Sequence, residues 1–463
     1  MGLTGGGSLA LPDVAYQRWL DSLGGAGWPA RSGRASPPGL PGELGDSERV
    51  PLDEALGRVA AAAVTARWPS PRCDCAAMDG IAVRAAGLPI APAVGGTVAP
   101  AGTGGADDLD AQDLDARAGA IRLPAGAFEW IDTGDPMPDG LDTVVVRERL
   151  LPQGDGSVLI AAGPDAAAPL ATAGQHVRTA GEDFAAGEEL LPAGRLLRPG
   201  DLAAAAAAGH ATLVVTRRPV VAIIPTGDEI RPAGEPLRRG DIIDTNSIML
   251  AARCRQLGAL AEVGPIVPDD PDSLAAELHR AAAGADLVLI IAGSSRGRGD
   301  HAAAVLAQVG GVAVAGVAVR PGHPAILGHV KRPTGAKAAD RAAIAPAIGL
   351  PGYPLAAAVI FELFAVPLLG VLTGHTPART TIRARLDRDW TGRPEAENWV
   401  LVTLSDHGER GELPLATPAR RGAGTISQLA RADAWWQVPA GRDRVDFAAG
   451  TEIAVLPVAD IAR

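Results

Sequence analysis

Three times between residues 218 and 374 a short apolar run ends in a polar turn. Val220-Val221-Ala222-Ile223-Ile224 leads into Pro225-Thr226-Gly227-Asp228-Glu229. Asp286-Leu287-Val288-Leu289-Ile290-Ile291 leads into Ala292-Gly293-Ser294-Ser295-Arg296-Gly297-Arg298-Gly299-Asp300. Ala347-Ile348-Gly349-Leu350 opens into Pro351-Gly352-Tyr353-Pro354, after which 355–369 reads as a helix. None of these runs alternates, so each predicts a strand buried on both faces, as in parallel sheets covered by helices. In such sheets ligands gather beyond the carboxyl ends of the strands, where these turns lie.

The flanking sequence has other rhythms. Apolar positions Val14, Trp19, Leu20 and Leu23 predict a short helix over 13–23, after a Gly-rich start at 1–8 expected to be disordered. Residues 24–46 are dense in Gly and Pro and predict a mobile linker, while 50–59, with Leu52, Ala55, Leu56 and Val59 on one face, predicts a capped helix. From 68 to 172 short strands broken by Gly and Pro predict a small β-rich domain. It carries polar turns at Ala77-Met78-Asp79-Gly80 and Thr133-Gly134-Asp135-Pro136, and an acidic, solvated run over 107–115. A helical and extended mixture follows at 175–216, with a helix at 202–208. After the α/β stretch, strands are expected at 382–386, 399–404, 435–438 and 452–456, enough for a compact barrel or sandwich. The fold class expected is multidomain α/β plus β. Its parts are a flexible segment with a short helix (1–46), a split first domain (47–72 and 173–216) around an inserted β-rich domain (73–172), a central α/β domain with a mostly parallel sheet (217–374), and a C-terminal β-barrel-like domain (375–463).

Length and charge narrow the classes. A chain of 463 residues is too long for one core. Its 42 basic against 53 acidic side chains give a formal charge of -11, which argues against nucleic acid or an anionic membrane as partner. No apolar stretch is expected to reach the roughly eighteen uninterrupted residues of a membrane span, and a cytoplasmic protein is the expectation. Cys73, Cys75 and Cys254 lack the spacing of a zinc site, so reduced thiols are expected.

The Gly293 to Asp300 turn precedes a helix over 301–308. Its N–H groups and the Ser294 and Ser295 hydroxyls can face an anion, with Arg296 and Arg298 adding charge; an ordinary strand-to-helix turn would read the same. Asp228, Glu229, Asp269, Asp270 and Asp300 all fall at or just beyond strand ends. A phosphate would be repelled there unless a divalent cation such as Mg²⁺ intervened. The competing reading is helix capping ahead of 273–282, with Asp270 the best-placed cap. Asn246 or Ser247 is expected to cap the next helix, with Met249, Leu250 and Cys254 inward, Cys254 as a buried small hydrophobe.

Taken in order, segments 52–59, Ala77-Met78-Asp79-Gly80, Thr133-Gly134 with Pro136 and Pro138, Gly181-Glu182-Asp183, Pro225 to Glu229 and Asp244 to Ser247 resemble the molybdopterin molybdotransferase family. So do Gly293 to Asp300, Arg320-Pro321-Gly322, Gly349 to Pro354, and Arg421-Gly422-Ala423-Gly424 through Asp433. These are the molybdenum-insertion enzymes to which the E domain of gephyrin belongs. The resemblance implies an elongated four-domain homodimer, with a cleft between the molybdopterin-binding α/β domain of one subunit and the inserted domain of the other. It implies a Mg²⁺-dependent reaction of adenylylated molybdopterin with molybdate that releases AMP and the molybdenum cofactor. The implied partners are an upstream molybdopterin adenylyltransferase and downstream molybdoenzymes. Carried over position by position, Asp79, Asp183, Glu229, Asp269 and Asp300 would be catalytic, and Asp228, Glu229, Asp269 and Asp300 would hold the metal. Thr133, Gly134, Thr226, Gly227, Gly293, Ser294, Ser295, Gly297, Arg320, His323, Pro351, Gly352 and Pro354 would hold the pterin nucleotide and the oxyanion.

The chain departs from the family pattern in places. Arg320-Pro321-Gly322-His323-Pro324 stands where the family usually has Lys-Pro-Gly-Lys-Pro, and an imidazole is mostly neutral near pH 7. Ala356 stands where Ser is common, Leu401 where many members have Arg, and Ala76 and Ile81 replace a Ser and an aromatic. Two readings follow: a working transferase with a modified oxyanion site, or a divergent paralogue that binds molybdopterin or its nucleotide as a carrier or scaffold. Sequence does not separate molybdate from tungstate.

Overall fold

A computed structural model of the protein describes residues 9–26, 28, 47–88, 120–161, 170–292, 301–333, 342–376, 379–405, 412–419, 426–441 and 445–458. The expected disorder at 1–8, most of the linker, the acidic run at 107–115, the 293–300 turn and 421–424 lie outside the described residues.

The three apolar runs are neighbouring strands. A six-stranded sheet runs in the order Leu260–Val263, Val220–Pro225, Leu287–Ala292, Ile344–Pro351, Ile326–Lys331, Gly310–Ala315. The first four strands are parallel, and Ile326–Lys331 is antiparallel to both its neighbours. Successive residues face opposite layers, and both layers are filled. Val221 and Ile223 pack with Leu250, Cys254 and Phe364, whereas Ala222 and Ile224 pack with Leu274, Leu278 and Leu306. Two-sided burial is why these strands are apolar throughout. Cys254 is fully buried as expected, and burial pushes its thiol up to about 12.

The helix after the third turn is interrupted. Pro354–Ile360 and Val366–Thr373 are α-helical, and Phe361–Ala365 between them is a π-turn. Pro367 has no N–H, and its ring would crowd the carbonyl four residues back, so the widened turn lets the helix continue through it. Contrary to the sequence expectation, Pro354–Thr373 has the length and apolarity of a membrane span, with a mean hydropathy of 2.4. Its most apolar stretch is 67% buried inside the protein, as befits a core helix.

Pro12–Gly25 forms the expected N-terminal helix and lies on the sheet. Trp19 is fully buried, and its Nε1–H donates to the Gly328 carbonyl at 2.7 Å, opposite the break in the strand ladder between Val312 and Val314.

The helix expected at 50–59 is not formed. Ser47–Pro51 is a strand paired antiparallel with Thr212–Thr216, and only Leu52–Glu54 makes a single 3₁₀ turn. Cross-chain pairing outweighs the local amphipathic spacing, and Gly57, at φ 70°, turns the chain where the helix would have continued. Beyond Cys75–Ala76, which pairs with Val177–Arg178, two three-stranded sheets are built from Gly80–Val83, Glu129–Ile131 and Thr143–Val146, and from Ile121–Leu123, Leu150–Pro152 and Val158–Ile160.

At the C-terminal end Glu397–Leu404, Leu415–Pro418, Ile382–Leu386, Glu452–Pro457 and Ala434–Val438 pair in sequence, and the last closes back on the first as a five-stranded barrel. A short strand from the α/β region, Val319–Arg320, adds to the barrel strand at Glu397 and Asn398.

Candidate active site

The Thr226 to Glu229 turn is tied to the strand ends beside it. Thr226 donates to the Ile291 carbonyl from both N–H, at 3.0 Å, and Oγ1, at 2.9 Å, and Gly227 N–H donates to Val267 O at 3.0 Å. Gly227 sits at φ 135°, and a Cβ there would fall 2.8 Å from Ile230 Cγ1 and 3.0 Å from Glu229 Oε2. Only glycine fits, and the turn it makes puts Glu229 in a cavity wall.

Three acids meet beside this turn. Asp228 Oδ1 accepts the Asp269 N–H at 3.3 Å. Burial pushes the Asp269 carboxyl above the usual carboxylate range, and the charges of Asp228 and Glu229 push the same way. Asp270 behaves differently: its Oδ2 accepts the Ser273 N–H at 2.8 Å and caps Pro271–Gly284, as expected. Neither Asn246 nor Ser247 caps the helix Asn246–Gln256. Asp244 Oδ1 accepts the Ser247 N–H at 3.0 Å, and Asn246 Nδ2 instead donates to Gly352 O at 2.7 Å, bracing the third turn. Among the described residues no three His, Cys, Asp or Glu side chains close into a metal cage.

A cavity of about 1230 Å³ opens between the strand ends and the barrel. Thr226, Glu229, Pro351, Gly352 and Pro354 line it from the sheet, and Arg320, Gly322 and His323 from the loop that joins the barrel. The Arg320 Nη1 lies 3.4 Å from His323 Nδ1. All three positions of interest for the oxyanion, His323, Ala356 and Leu401, face this one cavity. The barrel supplies walls that sequence reading missed: Trp390, Arg393, Glu395 and Asn398. Trp390 packs on Trp436 at 4.8 Å between ring centroids, and a tryptophan cluster in a chain with 3% aromatics was the available signal. Leu237, Ile242 and Ile243 form an apolar flank that sequence also left unassigned.

The inserted domain gathers a second group. Asp79 Oδ1 accepts from the Thr133 N–H at 2.7 Å and from Thr133 Oγ1 at 2.6 Å, with Gly134 beside it at φ 93°. The Thr133 hydroxyl, then its N–H, holds the Asp79 carboxyl below the usual range, and Arg147 adds a smaller pull. Among the described residues of 47–216, none lines the cavity. Asp183 is exposed, its backbone N–H bound to Ser70 O at 2.9 Å. Gly293, Ser294, Ser295, Gly297 and Asp300 lie outside the described residues. Thr133→Val removes the hydroxyl bond but keeps the N–H bond and the pull of Arg147, so it is expected to raise the Asp79 carboxyl only part of the way back to the ordinary range. Because a depressed folded value stabilises above the unfolded value near 4, the variant loses part of that stability at neutral pH, and its difference from wild type shrinks as pH falls through the folded value. Urea melts at neutral and at successively lower pH check this.

Residues 31–209 match the family model for the MoeA N-terminal region (domain I and II), 222–370 a probable molybdopterin binding domain, and 383–458 the MoeA C-terminal region (domain IV). Molybdopterin molybdenumtransferase 2 of Mycobacterium tuberculosis is 33% identical over 422 residues, covering 88% of this chain and 94% of that protein. The chain belongs to the MoeA family. A MoeA relative named molybdopterin molybdenumtransferase in Nostoc sp. is 30% identical over 431 residues, 89% of each chain. The crystal structure of the molybdopterin biosynthesis MoeA protein of Pyrococcus horikosii superposes with a TM-score of 0.71 at 26% identity, covering 97% of this chain and 99% of that one. The multidomain α/β architecture with a closed C-terminal barrel is thus the MoeA fold, as the sequence resemblance implied.

Proposed function

We propose that this MoeA protein is a molybdopterin molybdotransferase that inserts molybdate into adenylylated molybdopterin and releases AMP, acting as a cytoplasmic homodimer. One observation carries the reading: a single cavity at the strand ends has Glu229 on one wall and Arg320 with His323 on another. A substrate with phosphates and an organic ring system needs both a cationic edge and apolar walls, and Arg320 and the Trp390 side of the barrel supply them.

Asp228, Glu229 and Asp269 do not close into a cage by themselves and would hold a divalent cation only together with substrate phosphate oxygens. Burial is the main cause of the upward push on Asp269, with Asp228 and Glu229 adding to it and His301 offsetting part of it. An open set of carboxylates suits Mg²⁺, which takes its remaining ligands from water and substrate phosphates. When bound, Mg²⁺ would offset charge on the phosphoanhydride as it breaks. In the reaction Glu229 orients the attacking oxygen, Thr226 and Gly227 hold the turn in register with it, and Arg320 binds anionic oxygens. The Asp79 and Thr133 pair belongs, on this reading, to the cleft of a second subunit, since it contributes nothing to the cavity of its own. Asp269→Asn removes like-charge repulsion. It is expected to leave stability at neutral pH unchanged or slightly raised and to abolish the rise in melting temperature on adding Mg²⁺ in the presence of AMP, as read by calorimetry.

A second reading is favoured by the neutral lining at Ala356 and Leu401, 3% and 2% exposed. On that reading the protein carries the pterin nucleotide without inserting metal. The deciding experiment measures AMP release from adenylylated molybdopterin with Mg²⁺, with and without molybdate. Release that requires molybdate establishes the transferase. Tight binding without release establishes the carrier, and no binding removes both.

A further inference from the structure

Asn246 is 6% exposed, stands at the first position of the helix Asn246–Gln256, and forms part of the cavity wall. Its amide has one permitted orientation. Nδ2 donates to Gly352 O at 2.7 Å, and because a carbonyl only accepts, the flipped amide would set oxygen against oxygen. Oδ1 is thereby fixed as an acceptor, and it is buried without a hydrogen-bond donor. Native structures rarely leave such an atom unmatched. The Thr226 hydroxyl goes to Ile291 O and the Ser247 N–H to Asp244 Oδ1. The Ser247 hydroxyl, in a residue 2% exposed, makes no hydrogen bond to Oδ1 or to any other group among the described residues.

Resting on the transferase or carrier reading above, we propose that Asn246 is a specificity-determining residue whose Oδ1 accepts a hydrogen bond from an N–H or O–H of the organic part of the ligand. Molybdate and ionised phosphate oxygens are acceptors at neutral pH and gain nothing from a second acceptor. A heterocyclic amino group, a ring N–H or a ribose hydroxyl can satisfy it. Asn246 therefore sorts a pterin or nucleotide from a bare oxyanion, while Arg320, in the same cavity, meets negative charge without regard to what carries it.

The test measures affinities of wild type and Asn246→Ala for molybdopterin, AMP and inorganic pyrophosphate. It adds 2′-deoxy-AMP, 3′-deoxy-AMP and nebularine 5′-monophosphate, which each lack one donor of AMP. The variant is expected to bind the ligand that carries the donor roughly tenfold more weakly, with pyrophosphate unchanged. If the donor is on the nucleotide, one analogue loses that same factor against wild type and none against the variant; loss confined to molybdopterin places the donor on the pterin. Asn246→Asp keeps the oxygen and gives up the bond to Gly352, so it should melt earlier yet still discriminate among ligands. Unchanged affinity of Asn246→Ala for molybdopterin and AMP overturns the inference. So does an equal loss for every ligand including pyrophosphate, the behaviour of a brace alone. Failure of wild type to bind molybdopterin and AMP overturns the functional reading itself, and this inference with it.

Discussion

Replacing Gly227 with alanine is expected to slow AMP release about a hundredfold while the protein stays folded. At φ 135° the added Cβ meets both Ile230 and the Glu229 carboxylate, so the backbone must leave a conformation that L-residues avoid. Holding it there costs about 1–3 kcal/mol, and a structure of this size can bear that. The turn instead relaxes, and with it go the Gly227 N–H bond to Val267 and the aim of Glu229 into the cavity. Turnover and a thermal melt on the same sample check the outcome. Near-normal turnover would show that the placement of Glu229 is not critical.

Trp19→Ala is expected to cost about 3–5 kcal/mol, the largest loss of stability for a residue outside the cavity. The indole is fully buried, donates to Gly328 O, and lies 6.1 Å from Tyr16, whose ring lies 6.3 Å from that of Phe364 in the π-turn. Its removal leaves a hole and an unmatched carbonyl in the sheet. Tyr16 reports on the same contact. Burial pushes its phenol up to about 12, so the stability it contributes is complete below pH ~10 and is lost as pH rises through the folded value. In Trp19→Ala water reaches the phenol, and its ionisation, followed by absorbance, should move back toward the free value.

Much of this architecture is legible in the chain because burial is two-sided where function gathers. Val220–Pro225 and Leu287–Ala292 have helices on both faces, leaving no polar position to blur the pattern. Gly227 announces its turn because no other residue could take that conformation. The helix expected at 50–59 failed because its partner, Thr212–Thr216, lies far along the chain, where periodicity cannot see it. Leu415–Pro418 escaped notice as a strand because it is four residues long and ends in proline. Thr226, Glu229 and Gly352 were readable as strand-end residues and Arg320 from the family resemblance, but Trp390, Arg393 and Asn398 become a wall only when the barrel closes and docks. The pairing of Asp79 with Thr133 was foreshadowed by two separate polar turns, though nothing local shows that they touch.

Arg320 belongs to two bodies at once. It is pinned to the barrel by strand pairing at Asn398 and joined to the sheet by the few residues that lead to Ile326. If the barrel swings away from the sheet to let a product out, Arg320 travels with it and lets go of the anion in the same stroke. Opening the jaw and loosening the grip are then one motion, and a cross-link between barrel and sheet would slow departure of the product without touching the chemistry.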